Sequence, residues 1–375
     1  MTVSLCIIAR NEEKVIGGLL EQVKNQTYPK NETEIVLIDS GSADGTKGIF
    51  KKFAEENKSE YMDIQIGDNT GGNQATGWNE AIKIAVGDVI IRVDAHAEIP
   101  ENFIEKNMEL IESGEDVCGG ARPNKIDEPT PFKEMLFLAE SSMFGSSIAG
   151  YRRKSEGKKY VNSLFHGAYR REVFAKVGGF NKDLGRTADN EMHYRIRQAG
   201  YKICQSDEII SYQHIRNTLG GMIKQKFGNG KWIGLTLGVC YQCLSSFHFV
   251  PFLFVFTLLC SIAVAVAGDI FGLAEMKLPF IVLISAYALA DLLMTALAVI
   301  TAKKKHIIQI CLPIVFFILH ISYGVGTLVG LLAMPFWKMT LGKSAENEIE
   351  EVRRCVIENT KIKGDNNGTA GNDNG

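Results

Sequence analysis

Short apolar runs rich in β-branched residues alternate with amphipathic stretches along the N-terminal part of the chain. This pattern predicts strands at residues 3–8, 34–38, 61–66 and 88–93, with helices at 12–24, 44–56 and 73–86 between them. Such alternation is typical of right-handed β-α-β units and a parallel sheet. Asp39 and Asp94 each follow a predicted strand directly. Because ligands bind beyond the carboxyl ends of such strands, both carboxylates are expected at a ligand-binding edge.

The middle of the chain continues the pattern less regularly. It predicts a further strand at residues 117–121 and helices at 131–143 and about 190–199, the last ended by Gly200. A basic loop at residues 152–159 interrupts this region, and it is expected either to face lipid phosphates or to be a solvated surface loop.

Three long apolar runs fill the C-terminal third, at residues 247–268, 278–302 and 307–337. At about 1.5 Å per helical residue, each is long enough to cross a hydrocarbon layer of roughly 30 Å. The second run is interrupted by Asp291, which is expected to face other helices. The predicted division is therefore a globular domain over 1–230, a juxtamembrane segment over 231–246, membrane helices over 247–337 and a polar tail over 338–375.

Lysines flank these runs and predict their orientation. Lys303, Lys304 and Lys305 separate the second and third runs, and further lysines precede the first. Both groups should face the cytoplasm, which two crossings between them satisfy. A third crossing would place the tail on the opposite side, and the mixed charges of the tail favour neither side.

Composition narrows the class of protein. A formal net charge of −2 and the lack of an aromatic and arginine pattern argue against a nucleic-acid partner. Eight scattered cysteines do not form a disulfide framework, and residues 2–9 are too short for a cleavable signal. The first domain is therefore expected in the cytoplasm, while the Gly- and Asn-rich residues 364–375 are expected to be disordered.

Several polar residues could carry chemistry. The carboxylate of Asp94 and the imidazole of His96 suit a divalent ion that bridges two phosphates, although such a pair also occurs in ordinary turns. Asp39 could accept the N3 proton of a uracil ring. Asp189 lies at a predicted helix start, where it could cap the helix or act as a catalytic base. His214 could complete a metal site, bind acceptor phosphates, or simply lie on the surface.

In this order along the chain, these segments resemble family 2 glycosyltransferases, the inverting enzymes with the GT-A fold. The matching segments are residues 4–13, 35–46, 77–81, 87–97, 167–174, 177–180 and 189–201. Within that family, the segment Asp94-Ala95-His96-Ala97, the block at 165–171 and the C-terminal apolar runs are most similar to bacterial exopolysaccharide glycosyltransferases of the succinoglycan type.

The resemblance implies an α/β GT-A domain with a mixed, mostly parallel sheet, followed by about three transmembrane helices in the inner or cell membrane. It implies transfer of one sugar from a nucleotide-sugar donor, UDP-glucose, to a polyprenyl-diphosphate-linked glycan or a polysaccharide acceptor at the membrane, in contact with membrane lipid, in exopolysaccharide or cell-surface glycan synthesis. By position, Ala9, Glu12 and Asp39 would contact the nucleotide, and Asp94 the ribose or the metal. His96 would bind the metal, Mn²⁺ or Mg²⁺, and Asp189 would be the catalytic base.

The chain departs from the family pattern at three places. His96 replaces the second aspartate of the usual metal motif, and Ala188 stands where a glutamate usually precedes the base. Gln225 with Lys231 and Trp232 does not form the Gln-x-x-Arg-Trp motif of processive synthases, so single-sugar addition is favoured. The alternatives are a processive polysaccharide synthase, a nucleotidyltransferase, and a non-catalytic membrane sugar-binding or transport protein.

Overall fold

The computed structural model of the chain describes residues 1–145 and 157–369, and the side chains of residues 362–369 are left out of the description. Residues 152–156 of the predicted basic loop and residues 370–375 of the predicted disordered end lie outside it. The described strands are β1 Val3–Ala9, β2 Thr33–Asp39, β3 Asp63–Asp68, β4 Val89–Asp94, β5 Ala97–Glu98, β6 Val117–Ala121, β7 Asn124–Lys125, β8 Lys158–Tyr160, β9 Gly167–Arg170, β10 Ile203–Ile210 and β11 Tyr212–His214. The described helices are α1 Ile16–Lys24, α2 Thr46–Asn57, α3 Gln74–Ile84, α4 Phe103–Glu112, α5 Pro131–Ser141, α6 Arg171–Val177, α7 Ala188–Gln198, α8 Leu219–Thr236, α9 Val250–Phe271, α10 Leu278–Thr301, α11 Leu312–Thr340 and α12 Ser344–Thr369.

The chain divides into two compact units. The α/β unit contains Met1–Pro123, Arg153–Gln213 and Leu341–Gly375, and the helical unit contains Asn124–Arg152 and His214–Thr340. This division differs from the sequential boundaries predicted above. Helix α8, which falls largely within the predicted globular domain, packs with α11 inside the helical unit. The tail returns to the α/β unit.

Within the described ranges, eight strands form one sheet in the order β3-β2-β1-β4-β9-β6-β10-β8. Strands β3, β2, β1 and β4 are parallel, whereas β9 is antiparallel to both of its neighbours, β4 and β6. Every residue of β1, β2 and β4 is buried, as expected for central strands covered by helices on both faces. The expected mixed, mostly parallel α/β sheet is confirmed.

Helix α12 is part of the α/β unit, although it follows all of the apolar helices. Its Val352 and Val356 are fully buried, and Arg353 Nε donates a hydrogen bond to the carbonyl oxygen of Ala175 at 3.0 Å. A side chain at Gly178, whose φ is +76°, would overlap the carbonyl oxygen of Ile349. The predicted polar tail is therefore a packed helix, which extends to Thr369 and into the segment predicted to be disordered.

Among the described residues, three helical segments are long and apolar enough to cross a membrane: Ser246–Phe271, Ala274–Thr301 and Ile307–Thr340. They coincide closely with the three apolar runs of the sequence. All three lie in the helical unit.

Candidate active site

The carboxyl ends of three adjacent strands bring predicted site residues to one edge of the sheet. Ala9, Asp39 and Asp94 are the last residues of β1, β2 and β4. Ala9 is in register with Asp39, and Ile8 is in register with Asp94. Three residues that are far apart in sequence are thus neighbours at the edge where open parallel sheets bind ligands.

Asp39 has one oxygen that the surrounding protein satisfies and one that it does not. The side chain is nearly buried, and Oδ2 accepts a hydrogen bond from the backbone N–H of Ser42 at 3.2 Å. Gly41, with φ of +71°, allows the tight turn that brings Ser42 back to the carboxylate. Among the described residues, buried Oδ1 has no hydrogen-bond partner. Because buried acceptors are nearly always paired, this oxygen fits a donor on a bound ligand.

Glu12 and His96 meet across the same edge, from the segments that follow β1 and β4. The backbone N–H of Glu12 donates to Thr46 Oγ1 at 2.9 Å, which holds the segment after β1 against the start of α2. Glu12 Oε1 lies 3.4 Å from His96 Nδ1. His96 occupies the turn between β4 and β5 and is partly exposed, so its ring is accessible from solvent.

Asp94 is buried and lies against a buried histidine. Gln74 Nε2 donates to Asp94 Oδ1 at 3.3 Å, and His166 Nε2 is 3.5 Å from Asp94 Oδ2. His166 Nε2 is also 3.4 Å from the Asp94 backbone N–H, which would require the opposite tautomer. The carboxylate favours a proton on Nε2, and His166 Nδ1 can then accept from Ser211 Oγ at 2.8 Å.

This environment keeps Asp94 ionised. Burial by itself would raise the pKa of Asp94, but the hydrogen bond from His166 and the nearby charges of His96 and Arg122 hold that pKa well below its usual value. Burial lowers the pKa of His166, despite the adjacent carboxylate. A carboxylate that stays ionised at neutral pH is suited to binding a divalent cation.

Asp189 is joined to the sheet by an arginine. It lies in the first turn of α7, and its Oδ1 accepts from Arg92 Nη2 at 2.9 Å. Arg92 is 2% exposed, whereas the side chain of Asp189 is 21% exposed. Arg92 and Asp94 are two residues apart on β4, so their side chains leave the same face of the sheet. Asp189 therefore lies on the same side of β4 as Asp94 and remains accessible to a ligand.

Aromatic rings hold the Arg92 guanidinium in place. Its central carbon lies 4.4 Å from the ring centroid of Trp78 and 4.4 Å from that of Phe180. Cation–π contacts of this kind stabilise a buried guanidinium by up to about 2 kcal/mol. The Tyr169 hydroxyl lies 2.8 Å from Nε2 of the buried His193, so a buried polar contact joins β9 to the middle of α7.

The sequence interpretation missed Arg92, His166 and Arg122. Arg122 directly follows β6, is almost fully buried and stacks on the ring of Phe165. Arg92 carried a usable signal, because a charged residue inside an apolar strand is expected to have a buried partner. His166 lies in a segment that matched the family pattern, but nothing local in the sequence connects it to Asp94.

His214 lies in the helical unit, where its Nδ1 is 2.6 Å from Asp127 Oδ1. The other predicted site residues, namely Ala9, Glu12, Asp39, Asp94, His96 and Asp189, all belong to the α/β unit.

The donor set at the sheet edge fits a divalent ion. Asp94 supplies an ionised carboxylate and His96 an imidazole, with the Glu12 carboxylate 3.4 Å from that ring. Oxygen ligands with one imidazole suit Mn²⁺ and, with more water in the coordination shell, Mg²⁺.

Comparison with known proteins agrees with this geometry. Residues 4–178 match the family model described as Glycosyl transferase family 2. The chain also resembles a mannosyltransferase from Pyrobaculum calidifontis, solved with GDP-mannose and Mn²⁺, with a TM-score of 0.53 and 18% identity over 87% of this chain and 86% of that one. The sheet and its edge have the arrangement of the GT-A fold. More particularly, residues 4–178 match the family 2 glycosyltransferases.

Two relatives extend the comparison. The chain is 29% identical to the dolichyl N-acetyl-alpha-D-glucosaminyl phosphate 3-beta-D-2,3-diacetamido-2,3-dideoxy-beta-D-glucuronosyltransferase of Methanococcus voltae, over 86% of this chain and 95% of the relative. It is also 29% identical to the succinoglycan biosynthesis protein ExoA of Rhizobium meliloti, over 61% of this chain and 68% of the relative. The first alignment covers most of both chains, whereas the second covers about two thirds of each.

Proposed function

We propose that the chain transfers a single sugar, with inversion, from a UDP-sugar to a polyprenyl-linked glycan at the cytoplasmic face of the cell membrane. The observation that carries this proposal is the unpaired buried Oδ1 of Asp39 on the same sheet edge as Asp94. The N3–H of uracil is a donor that would satisfy this oxygen. Ala9 and Glu12, at the end of β1 and just beyond it, would line the same nucleotide site.

Asp189 is the proposed base. Its carboxylate is partly exposed and fixed by Arg92, as required of a group that removes the proton of an acceptor hydroxyl. Asp94 and His96 would hold Mn²⁺ or Mg²⁺. When bound, the ion would neutralise charge on the leaving diphosphate.

Three considerations support a lipid-linked acceptor. The helical unit contains three segments able to cross a membrane. The Methanococcus relative is named for a dolichyl-phosphate-linked acceptor, and a Yersinia enterocolitica relative, 26% identical over 53% of this chain and 61% of its own length, is named an undecaprenyl-phosphate 4-deoxy-4-formamido-L-arabinose transferase. UDP-glucose is the first donor to test, because the sequence resembles succinoglycan-type enzymes.

The decisive experiment separates the base from donor binding. We expect Asp189→Asn to lower transfer by about 10²- to 10⁴-fold while UDP affinity stays nearly unchanged, because a general base contributes that much to the chemical step and does not touch the nucleotide. Membranes containing the variant would be incubated with labelled UDP-glucose, UDP-galactose, UDP-glucuronic acid or GDP-mannose. Incorporation would be measured in extracted lipid, with and without Mn²⁺.

The matched control is Asp116→Asn, the same substitution at the amino end of β6, far from the ligand-binding edge. This control should keep parental transfer. Equal losses of transfer and of UDP binding in Asp189→Asn would contradict the assignment of the base, and no incorporation from any donor by the parent protein would contradict the proposed function.

A further inference from the structure

The return of the chain to the α/β unit restricts how it can cross a membrane. The chain leaves this unit after Gln213 and re-enters it at Leu341. Asn79 Nδ2 donates to Glu348 Oε1 at 2.7 Å, and Lys83 Nζ is 2.8 Å from Glu351 Oε1, so α12 is bound to α3. Two segments packed in one domain lie on the same side of a bilayer. The number of crossings between them is therefore even, although three segments are long enough to cross.

Helices α8 and α11 are bound closely together and run in the same direction. A Cβ at Gly326 would overlap the carbonyl oxygen of Phe227, and one at Gly330 would overlap that of Lys231. Just beyond the end of α8, a Cβ at Gly238 would lie 2.9 Å from Met334 Cγ. Residue numbers thus rise together on both helices, which means that the helices are parallel. Such backbone contact, with glycines four residues apart, leaves little freedom for one helix to enter the bilayer without the other.

The parallel direction of α8 and α11, together with the even number of crossings, excludes these two helices from crossing the bilayer. Successive crossings alternate in direction. If all four helices crossed, or if α8 and α11 alone crossed, these two helices would be antiparallel. If one of α9 and α10 crossed with them, the number of crossings would be three, which is odd. If any of these helices crosses, it is therefore α9 or α10, and the even number of crossings then requires both to cross.

We propose that α9 and α10 form a transmembrane hairpin and that α11, with α8, lies in the lipid interface on the side that carries the α/β unit. The charges agree with this arrangement. Lys303, Lys304 and Lys305 follow α10, and Lys224 and Lys231 belong to α8, so the hairpin has positive residues before it and after it. The positive-inside rule places both groups on one side.

A buried ion pair lies beside the middle of α11. Lys226 Nζ is 2.8 Å from Glu140 Oε2, and both side chains are less than a tenth exposed. Lys226 immediately precedes Phe227, which touches Gly326 near the middle of the segment Ile307–Thr340. If α11 crossed the bilayer, this pair would lie near the hydrocarbon centre, where charges are costly. At the interface the pair lies close to water.

The exposed apolar side chains of α11 form one stripe along the helix. At about 100° per residue, the large exposed apolar side chains of α11 fall within roughly a third of the helix circumference: Ile314, Phe317, Val329, Leu332, Phe336 and Met339. The opposite face is buried and includes Leu312, Phe316 and Leu319. By contrast, only Asp291 and Ala298 are buried in α10. One apolar stripe fits a helix that lies in an interface, whereas α10 has the lipid-facing surface of a membrane-spanning helix.

The test is the side from which single cysteines react with a membrane-impermeant maleimide in sealed vesicles. The full chain would carry serine in place of Cys260, Cys311 and Cys355, the native cysteines that are not buried. Ser59→Cys in the α/β unit would mark the reference side. We expect Lys303→Cys and Gly342→Cys to react from the side of Ser59→Cys, and Glu275→Cys to react only from the opposite side.

Each other pattern overturns the proposal. Gly342→Cys on the opposite side would show an odd number of crossings, Lys303→Cys there would show that α11 crosses, and Glu275→Cys on the reference side would show that α9 does not. If a variant fails to accumulate in membranes, a cysteine nearby can replace it: Ala274→Cys for Glu275→Cys, Lys305→Cys for Lys303→Cys, and Lys343→Cys for Gly342→Cys. None of these readouts depends on catalysis, so failure of the proposed enzyme activity would not affect them.

A depth measurement tests α11 directly. Nitroxide labels at Ile310, Ile321 and Phe336 would be compared by relaxation with oxygen and with a nickel chelate in vesicles of phosphatidylethanolamine and phosphatidylglycerol. Ile310 and Phe336 are about 39 Å apart along the helix axis. An interfacial helix gives similar depths at all three positions. A central label that is much deeper than both others would contradict the proposal.

Discussion

At the scale of single residues, Arg92 connects the sheet to the proposed base. A fully buried guanidinium lies between two aromatic rings and donates to Asp189, which is partly exposed. A lysine keeps the charge but lacks the planar fork and stacks less well. The position of the carboxylate therefore depends on the shape of this side chain as well as on its charge.

We predict that Arg92→Lys lowers kcat by about 10²-fold, because a displacement of the base by roughly 1 Å has an effect of that size. The KM for the UDP-sugar should change much less, since the guanidinium contacts Asp189, Trp78 and Phe180. Steady-state kinetics with the UDP-sugar that supports incorporation in the membrane assay would measure both. Arg170→Lys, at the opposite edge of the sheet, is the control. A larger change in KM than in kcat would argue against a positioning role.

His193 should make stability depend on pH. Burial lowers the pKa of His193 to about 4, from the usual value near 6.5. The unfolded chain therefore binds a proton that the folded chain excludes between these values. The stabilising effect of the neutral ring is complete above pH 6.5 and is lost as pH falls toward 4, up to about 3 kcal/mol. We predict that the thermal midpoint of His193→Gln falls less steeply with acidification than that of the parent. Parallel midpoint curves would contradict this prediction.

At the scale of elements, α12 and α3 meet through Asn79. Its side-chain amide donates to Glu348 and to the Phe180 carbonyl at 2.9 Å, and its oxygen accepts from the Phe180 N–H at 2.6 Å. Phe180 is also one of the rings that stack on Arg92. The contact between helices and the support of the proposed base thus share one residue.

We predict that Asn79→Ala destabilises the protein by about 2–5 kcal/mol, because it leaves buried backbone groups of Phe180 without partners. Asn107→Ala is the control. Asn107 is equally buried, and its amide donates to Phe103 in its own helix, so a smaller loss of about 1 kcal/mol is expected. Thermal unfolding of purified protein, together with transfer activity, would measure both variants. Equal losses would show that the hydrogen bonds of Asn79 to Phe180 and Glu348 contribute no more than a bond within one helix.

The sequence predicted the bounds of individual strands, but it did not predict how segments far apart in the chain pack together. Strands β2 and β4 were predicted to within a residue or two at each end, because apolar β-branched runs specify them locally. The placement of β9 between β4 and β6 was not predicted, nor was the docking of α12 on α3. Both depend on pairing between segments that are far apart in the chain. For the same reason, Asp39 could be identified from its position after a strand, whereas Arg92 required Trp78, Phe180 and Asp189 to be assembled around it.

At the scale of the whole molecule, the α/β unit and the helical unit have different surfaces. The described part of the chain includes three apolar segments whose side chains are largely exposed; in α10, only Asp291 and Ala298 are buried. We predict that the protein stays in the membrane pellet after alkaline carbonate and high salt, because apolar burial, unlike surface charge, is not weakened by either treatment. Release into the supernatant would contradict insertion of any of the three segments. A peripheral protein of the same membranes is the control.

Because α12 follows the apolar helices in the chain, it can pack against α3 and α6 only late in synthesis. The residues that cover Gly178 and Gly179 leave the ribosome after every apolar helix has been made. During translation of the helical unit, the faces of α3 and α6 therefore remain uncovered. The α/β unit is therefore completed by a segment that emerges from the ribosome after the apolar helices.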